Sequence, residues 1–405
     1  MKISIFLKLF SGVALAQIIV FICTPFLANS YGAEAFGEFG FFFTIASVLA
    51  IIYVGRLDLA ISKARTIVDC KIIITGIVLL SFCSVFLTFL ICQLLLKDII
   101  NIEFWKLVCG GIGFGLFLIS NSILIFNEDY LNLAKQKVTR ALLTVSFQFI
   151  LLFILPNEGL IIGCTVSYIL ASLIYLTRQF KPCYKRFWLA VSIALVKHKG
   201  ILKYNLSNDL ISAFSQNMPV FLAATVSLNV AGVYFLAERL IRTPIYLIAS
   251  TIRPVIIRSF VSLDYNDKVS RYKLYIIQLF VFSIALFLVY IIISSILFDY
   301  YNFDEWLDLE FYMTSIILWT LASLINTPTN AFLTQTGRSK LLFYFEIVIL
   351  FVRLVPAYLL FLDLIGFKIF VLCFVTLSVI GYLFIIVFVL MSSKIACETP
   401  NGFEN

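Results

Sequence analysis

The chain has 405 residues, of which 62% are hydrophobic and only 13% charged, with a mean hydropathy of +1.06. A soluble domain carries about 25% charge, so the chain reads as a polytopic membrane protein with no room for a soluble catalytic domain. The net charge of +8 is read as orientation by the positive-inside rule rather than as a nucleic-acid surface.

Apolar runs of about 20 residues, each long enough to cross a hydrocarbon core as a helix, fall at 6–28, 39–55, 72–96, 107–126, 138–155 and 159–177, then at 206–226, 233–250, 274–298, 311–333, 341–362 and 369–391. Lys2, Lys8 and Ala14-Leu15-Ala16 outline a signal peptide. The apolar run continues to Ala28, however, and predicts an uncleaved first span. Loops then alternate in charge. One set holds Arg56, Lys63, Arg65 and Lys71, then Lys135, Lys137 and Arg140, then the basic stretch 178–203, and later Arg253 to Lys273, Arg338 and Lys340. The opposite set holds only the basic residues Lys97, Lys106 and Lys368, beside Glu34, Asp98, Glu103, Glu158, Asp299, Asp304, Glu305, Asp308 and Glu310. This asymmetry predicts both termini in the cytoplasm and a multi-pass location in the inner (cytoplasmic) membrane.

The long basic loop predicts an N-terminal six-helix bundle over 1–177, a basic cytoplasmic linker over 178–205, a C-terminal six-helix bundle over 206–391 and a cytoplasmic tail over 392–405. Two such halves are parallel repeats around a central cavity. Ala35-Phe36-Gly37-Glu38-Phe39, between spans one and two, is echoed by Val230-Ala231-Gly232-Val233-Tyr234 between spans seven and eight. Phe187 to Val196 is too short to span and predicts an interfacial helix. The nine cysteines form no CxxC pair and His198 is the only histidine, so buried thiols and no metal site are expected. The chain has no Walker A motif, nucleophile elbow, HExxH or Gly-rich dinucleotide turn.

Ionisable residues inside spans are costly and mark function or specific packing. Glu238 and Arg242 in span eight lie four apart on one face, with Arg239 adjacent. They read either as an ion pair that fixes packing or as a cationic patch on a cavity. Glu346 and Arg353 share a face of span eleven, and Arg56 and Asp58 close span two. In span seven, Asn205, Asp209, Ser212 and Gln216 form one polar stripe, with Asn208, Ser215 and Asn217 beside it. Such a stripe cannot face lipid. Pro25, Pro219, Pro244, Pro328 and Pro356 permit kinks. Gln17, Asn326, Thr327 and Asn330 are lesser cavity candidates.

Leu7-Lys8-Leu9-Phe10-Ser11-Gly12, Tyr31-Gly32-Ala33-Glu34-Ala35-Phe36-Gly37 and Arg56-Leu57-Asp58-Leu59-Ala60-Ile61 form one familiar group. Ser215-Gln216-Asn217-Met218-Pro219-Val220, Ala231-Gly232-Val233-Tyr234 and Arg239 to Pro244 form another. Together they resemble the Wzx-type polysaccharide-unit flippases of the multidrug/oligosaccharidyl-lipid/polysaccharide (MOP) exporter superfamily. The resemblance implies two six-helix bundles enclosing a V-shaped cavity. It implies movement of undecaprenyl-pyrophosphate-linked oligosaccharide repeat units, for O-antigen, capsule or similar glycan, from the inner to the outer leaflet by alternating access. Its implied partners are the lipid-linked substrate, membrane lipids, and the polysaccharide polymerase with its chain-length machinery; nucleic acid is not among them.

The family carries an arginine near the end of span two and basic residues in the cavity of each half, matched here by Arg56 and by Arg239 and Arg242; span one offers only Gln17. The expected substrate contacts are therefore Arg56, Arg239, Arg242 and Arg353 with Asn205, Asn208, Ser212 and Gln216. Asp209, Glu238 and Glu346 are the candidates for coupling to H⁺ or Na⁺, and no other cofactor is expected.

Three other readings compete. A cation-coupled multidrug exporter of the same superfamily needs a membrane carboxylate, which the chain has. A lipid-linked peptidoglycan-precursor flippase normally has two extra spans. A membrane polymerase or glycosyltransferase needs a large outer loop, and here the longest is about a dozen residues, so a transporter is expected rather than an enzyme.

Overall fold

A computed structural model of the chain describes residues 3–61, 64, 66–95, 103–176, 187–261, 263–300 and 306–398, and every element among them is helical. Lys2, Lys63, Arg65, Lys97, Asp98, Arg178, Lys181, Cys183, Lys185, Arg186, Asp304, Glu305 and the tail from residue 399 lie outside the described residues.

Among the described residues, each expected span but the tenth falls in one helix to within a residue or two at its ends. Spans one and two share α1 (Ile3–Val54), which breaks at Gly32, where φ is +81° and ψ 167°. The expected loop there is thus a single left-handed residue, a conformation that glycine adopts without a Cβ penalty. The short α2 (Asp58–Ile61) leads to α3 (Ile67–Leu95), α4 (Phe104–Phe126), α5 (Tyr130–Ile154) and α6 (Gly159–Leu176). The short apolar segment forms α7 (Phe187–Lys197) and lies on α3. It is tied there by Lys197 to Asp69 at 3.0 Å, while Trp188 and Val196 stay exposed. A π-helical turn (Ile201–Asn205) then opens α8 (Leu206–Val226), followed by α9 (Leu228–Val261) and α10 (Tyr265–Tyr300). Span ten is divided into α11 (Leu309–Ile325) and α12 (Thr327–Gln335); α13 (Ser339–Phe361) and α14 (Phe367–Glu398) complete the chain.

Among the described residues, 9 helices are apolar and long enough to cross a membrane, α1 being the longest. The helices α8 and α9 are not among them. They carry the polar stripe and the in-span charges, so their departure from lipid-like composition is where the sequence points to function.

The chain divides into two compact units, Met1–Phe235 and Leu236–Asn405. The helix α8 and the first turns of α9, assigned by the sequence to the second bundle, pack with α1 in the first unit. A glycine crossing explains the closeness. A Cβ on Gly37 would lie 1.9 Å from the Leu228 carbonyl oxygen, and one on Gly232 would lie 1.9 Å from the Ala33 carbonyl oxygen. Small residues allow such close backbone approach. The contact is reciprocal: 37 meets 228 as 232 meets 33. That is the pattern a local two-fold makes, and these are the two echoed segments of the sequence. Phe39 packs edgewise and Phe36 at a tilt on Phe235 beside it.

Two of the three lysines on the acidic side have parallel roles. Lys106, at the start of α4, is 5% exposed and meets Glu158, just before α6, at 2.9 Å. Lys368, at the start of α14, meets Asp308, just before α11, at 2.6 Å. In each half of the sequence an ion pair ties the fourth of its six expected spans to the sixth, with the charges exchanged between them.

The crossing generates a prediction. Gly37→Ala and Gly232→Ala each force backbone apart and should destabilise the protein by roughly 1–3 kcal/mol, the usual scale of overpacking. Gly200→Ala, where nothing lies within 4 Å of the added carbon, should leave the melting temperature in detergent unchanged.

Candidate functional site

In the first unit the site grows from the end of α1. Gly55 and Arg56 are both left-handed, with φ of +60° and +57°. For a non-glycine residue that conformation costs roughly 1–2 kcal/mol. It is held by Leu57, which is fully buried, and by bonds from the Leu57 N–H to the Val54 carbonyl (3.2 Å) and from the Ala60 N–H to the Leu57 carbonyl (2.9 Å). The turn aims the Arg56 guanidinium at α8, where its Nε–H donates to the Asp209 carboxylate; Asp58 lies at 3.8 Å. One arginine therefore sits between two carboxylates of its own unit. Asn205, Asn208, Asp209, Ser212 and Gln216 are all half-buried. Gln216 donates to the Ser212 hydroxyl at 2.8 Å, which continues the stripe along α8.

In the second unit, Arg242 donates to Glu238 one turn earlier on α9, as the spacing predicts. Its guanidinium also lies 5.1 Å from the centre of the Trp319 ring on α11. Arg239 is half-buried beside them. Arg353 is placed differently from the expectation. It is only 1% exposed, donates to the Ser378 hydroxyl at 3.0 Å and lies 4.7 Å from the Phe374 ring. A guanidinium so enclosed has no open face for substrate. Helical spacing to Glu346 identified a face but not what covers it. Glu346 itself is half-buried on α13, within the field of Arg353.

The structure also shows an array that the sequence reading missed. Gln136, Arg140, Thr144 and Gln148 occupy successive turns of α5. Gln136 donates to Ser120 on α4 (2.6 Å), Arg140 to the Tyr168 hydroxyl on α6, and Gln148 to the Leu160 carbonyl on α6 (3.0 Å). The Thr144 and Ser167 hydroxyls are 2.6 Å apart. Arg140 lies 5.5 Å from the Phe117 ring and 5.0 Å from the Tyr168 ring. Charge counting assigned Arg140 to a loop, whereas it stands inside α5. The signal was its four-residue polar period.

Solved structures with a similar fold include transporters. The lipid II flippase MurJ, in an inward closed conformation, aligns with 100% of this chain and 94% of its own at 15% identity and a TM-score of 0.71. A multidrug resistance MATE family transporter of the MOP superfamily, outward-facing, aligns with 98% of this chain and 96% of its own at 14% identity and a TM-score of 0.64. A MOP superfamily transporter from Pyrococcus furiosus Vc1 gives 98%, 96%, 14% and 0.59 for the same quantities. The fold is that of these transporters. No protein-family model and no curated protein matches the chain.

Burial pushes the Asp58 carboxyl above the usual carboxylate range, with the Arg56 charge pulling the other way. The folded state therefore binds this proton more tightly than the unfolded chain. The contribution to stability is full below the ordinary carboxylate value and is lost as pH rises through the raised one. Asp58→Asn should remove that component, and with it the fall in melting temperature as pH rises from the ordinary carboxylate value through the raised one. An unchanged curve would assign the slope to other groups.

Proposed function

We propose that the protein is a flippase that carries an undecaprenyl-pyrophosphate-linked oligosaccharide repeat unit from the cytoplasmic to the outer leaflet of the inner membrane, with both termini in the cytoplasm. One observation carries this reading: each unit holds an arginine against a carboxylate at a partly open position. Arg56 meets Asp209 and Arg242 meets Glu238, with side-chain exposures of 23% and 25% for the two arginines. A carboxylate is an exchangeable counter-ion. A diphosphate can accept from a guanidinium in bidentate fashion and carries more charge, so the exchange substitutes one anion for another and leaves no cation bare.

Arg239 adds charge beside Arg242. Asn205, Asn208, Ser212 and Gln216 supply the donors and acceptors that sugar hydroxyls need. The carboxylates released by the exchange, Asp209 and Glu238, then become binding points for H⁺ or Na⁺, and Glu346 offers a third. That links the load to an ion gradient. A lipid-linked load also suits the likeness to a lipid II flippase. The polysaccharide polymerase and chain-length machinery would take up the product.

A second reading is a cation-coupled multidrug exporter. It is favoured by the likeness to MATE family transporters and by the same three carboxylates. Deleting the gene separates the two. Loss of surface glycan with complete lipid-linked repeat units retained on the inner leaflet supports the flippase. Unchanged glycan with raised drug sensitivity supports the exporter, and single repeat units that reach the surface unpolymerised point to a polymerase.

Within the flippase reading, Arg56→Ala and Arg242→Ala each remove a charge-assisted contact worth about 1.5–3 kcal/mol. Each should slow export by roughly 10- to 100-fold with membrane abundance unchanged. Wild-type export by both variants would remove these arginines from the mechanism.

A further inference from the structure

Arg353 is enclosed rather than open to a cavity in this structure, and a cation in this position calls for a role. Its surroundings are closely matched by those of Arg140. Both stand on the fifth span of their unit. Arg140 meets an aromatic ring on the fourth span, Phe117, and one on the sixth, Tyr168, whose hydroxyl accepts its hydrogen bond. Arg353 meets Trp319 on the fourth equivalent at 5.8 Å and Phe374 on the sixth at 4.7 Å, and donates to Ser378 on the sixth. In each unit, then, one guanidinium ties the fourth, fifth and sixth spans together through two rings and a hydroxyl.

The second unit adds a further element. Trp319 is 2% exposed, and its indole N–H is buried with no hydrogen-bond partner among the described residues. An unpaired buried donor costs about 1–3 kcal/mol, so hydrogen bonding does not set the ring's orientation. Packing does: Phe374 meets it edgewise at 5.3 Å, and Arg353 lies on it. Arg242 also rests on this ring at 5.1 Å while paired with Glu238. The contacts form one chain from Ser378 and Phe374 through Arg353 and Trp319 to Arg242 and Glu238.

We propose that Arg353 is a positioning residue: it fixes the Trp319 ring as the platform that holds Arg242 against Glu238, and it never meets the transported molecule. Cation–π contact is attractive for a guanidinium on either side of an indole. Two arginines sharing one ring become mechanically linked without a hydrogen bond between them. Arg242 then has a defined place to return to after each release of its load. The role assigned to Arg242 rests on the flippase reading, whereas the geometric part does not.

The test uses the full-length protein with Trp105, Trp188 and Trp306 replaced by Phe, so that emission reports Trp319 alone. Arg242→Ala should shift that emission with no ligand present. Arg353→Met should also shift it and should abolish most of the response to Arg242→Ala, a non-additive double-mutant cycle. Arg353→Lys, which keeps a cation on the ring, should restore most of that response. If Arg353→Met does not fold, Ser378→Ala, which removes only the hydrogen bond, should give a smaller shift in the same direction. Additive shifts, or Trp319 emission indifferent to both arginines, would overturn the proposal whatever the protein transports.

Transport of an undecaprenyl-pyrophosphate-linked oligosaccharide in proteoliposomes then tests the functional part. Arg353→Met should lower the maximal rate about tenfold or more with little change in apparent KM, whereas Arg242→Ala should raise KM. A raised KM in Arg353→Met would mean direct contact and would also overturn the proposal. Coupled emission without transport of this lipid would leave the positioning role standing and defeat the flippase reading alone.

Discussion

A charge inside hydrocarbon has no water to solvate it, and five cations in or at the ends of spans show how that constraint is met. Two kinds of partner meet it. Carboxylates face Arg56, Arg242 and Lys106. Aromatic rings and hydroxyls enclose Arg140 and Arg353. The two kinds differ in what they allow. A ring cannot take up a proton or exchange for another anion, so the arginines it encloses hold helices together throughout. A carboxylate can be neutralised or displaced, so the arginines it holds are the ones able to change partners.

The same constraint governs the helices that carry these groups. The helices α8 and α9 are the least lipid-like of the spans, and both make close contacts with α1. The first turns of α9 meet α1 backbone to backbone at Gly37 and Gly232, and α8 meets α1 through Arg56 and Asp209. Polar composition and tight packing are therefore one phenomenon: a helix with a polar stripe gains more from burying it against another helix than an apolar one does. At the acidic end of each unit, Lys106 with Glu158 and Lys368 with Asp308 perform the corresponding task for spans that are otherwise apolar.

How far the sequence discloses this depends on distance along the chain. Span positions are local properties of length and hydropathy, and among the described residues each expected span but the tenth falls in one helix. The Glu238–Arg242 pair was legible because four residues make one helical turn. The Arg56–Asp209 pair was not, since 153 residues separate the partners and no spacing rule connects them. Arg140 was misplaced because it was counted with the basic loop residues Lys135 and Lys137, although the expected span 138–155 already contained it and α5 runs from Tyr130. Its neighbours at four-residue intervals, Gln136, Thr144 and Gln148, carried the missing signal. Arg353 was visible as an in-span cation, but periodicity gives only the face of a helix. Whether that face meets water or Trp319 and Phe374 is a property of other helices.

The echoed segments show what a weak sequence signal becomes when geometry is added. Five residues around Gly37 and five around Gly232 match only loosely as strings. As surfaces they match closely, because each glycine approaches the carbonyl four residues before the other. The arginines on the fifth spans extend the correspondence, although their neighbours differ: Tyr168 serves both as ring and as hydroxyl in one unit, while Phe374 and Ser378 divide those tasks in the other. What the two units share is therefore an arrangement of interactions rather than a set of residues. A substitution that swaps the side chain but keeps the interaction leaves the arrangement intact. Charge exchange between Lys106–Glu158 and Asp308–Lys368 follows the same rule, since an ion pair is as strong with its signs reversed, and it explains how repeats can diverge in sequence while conserving the physics that holds them.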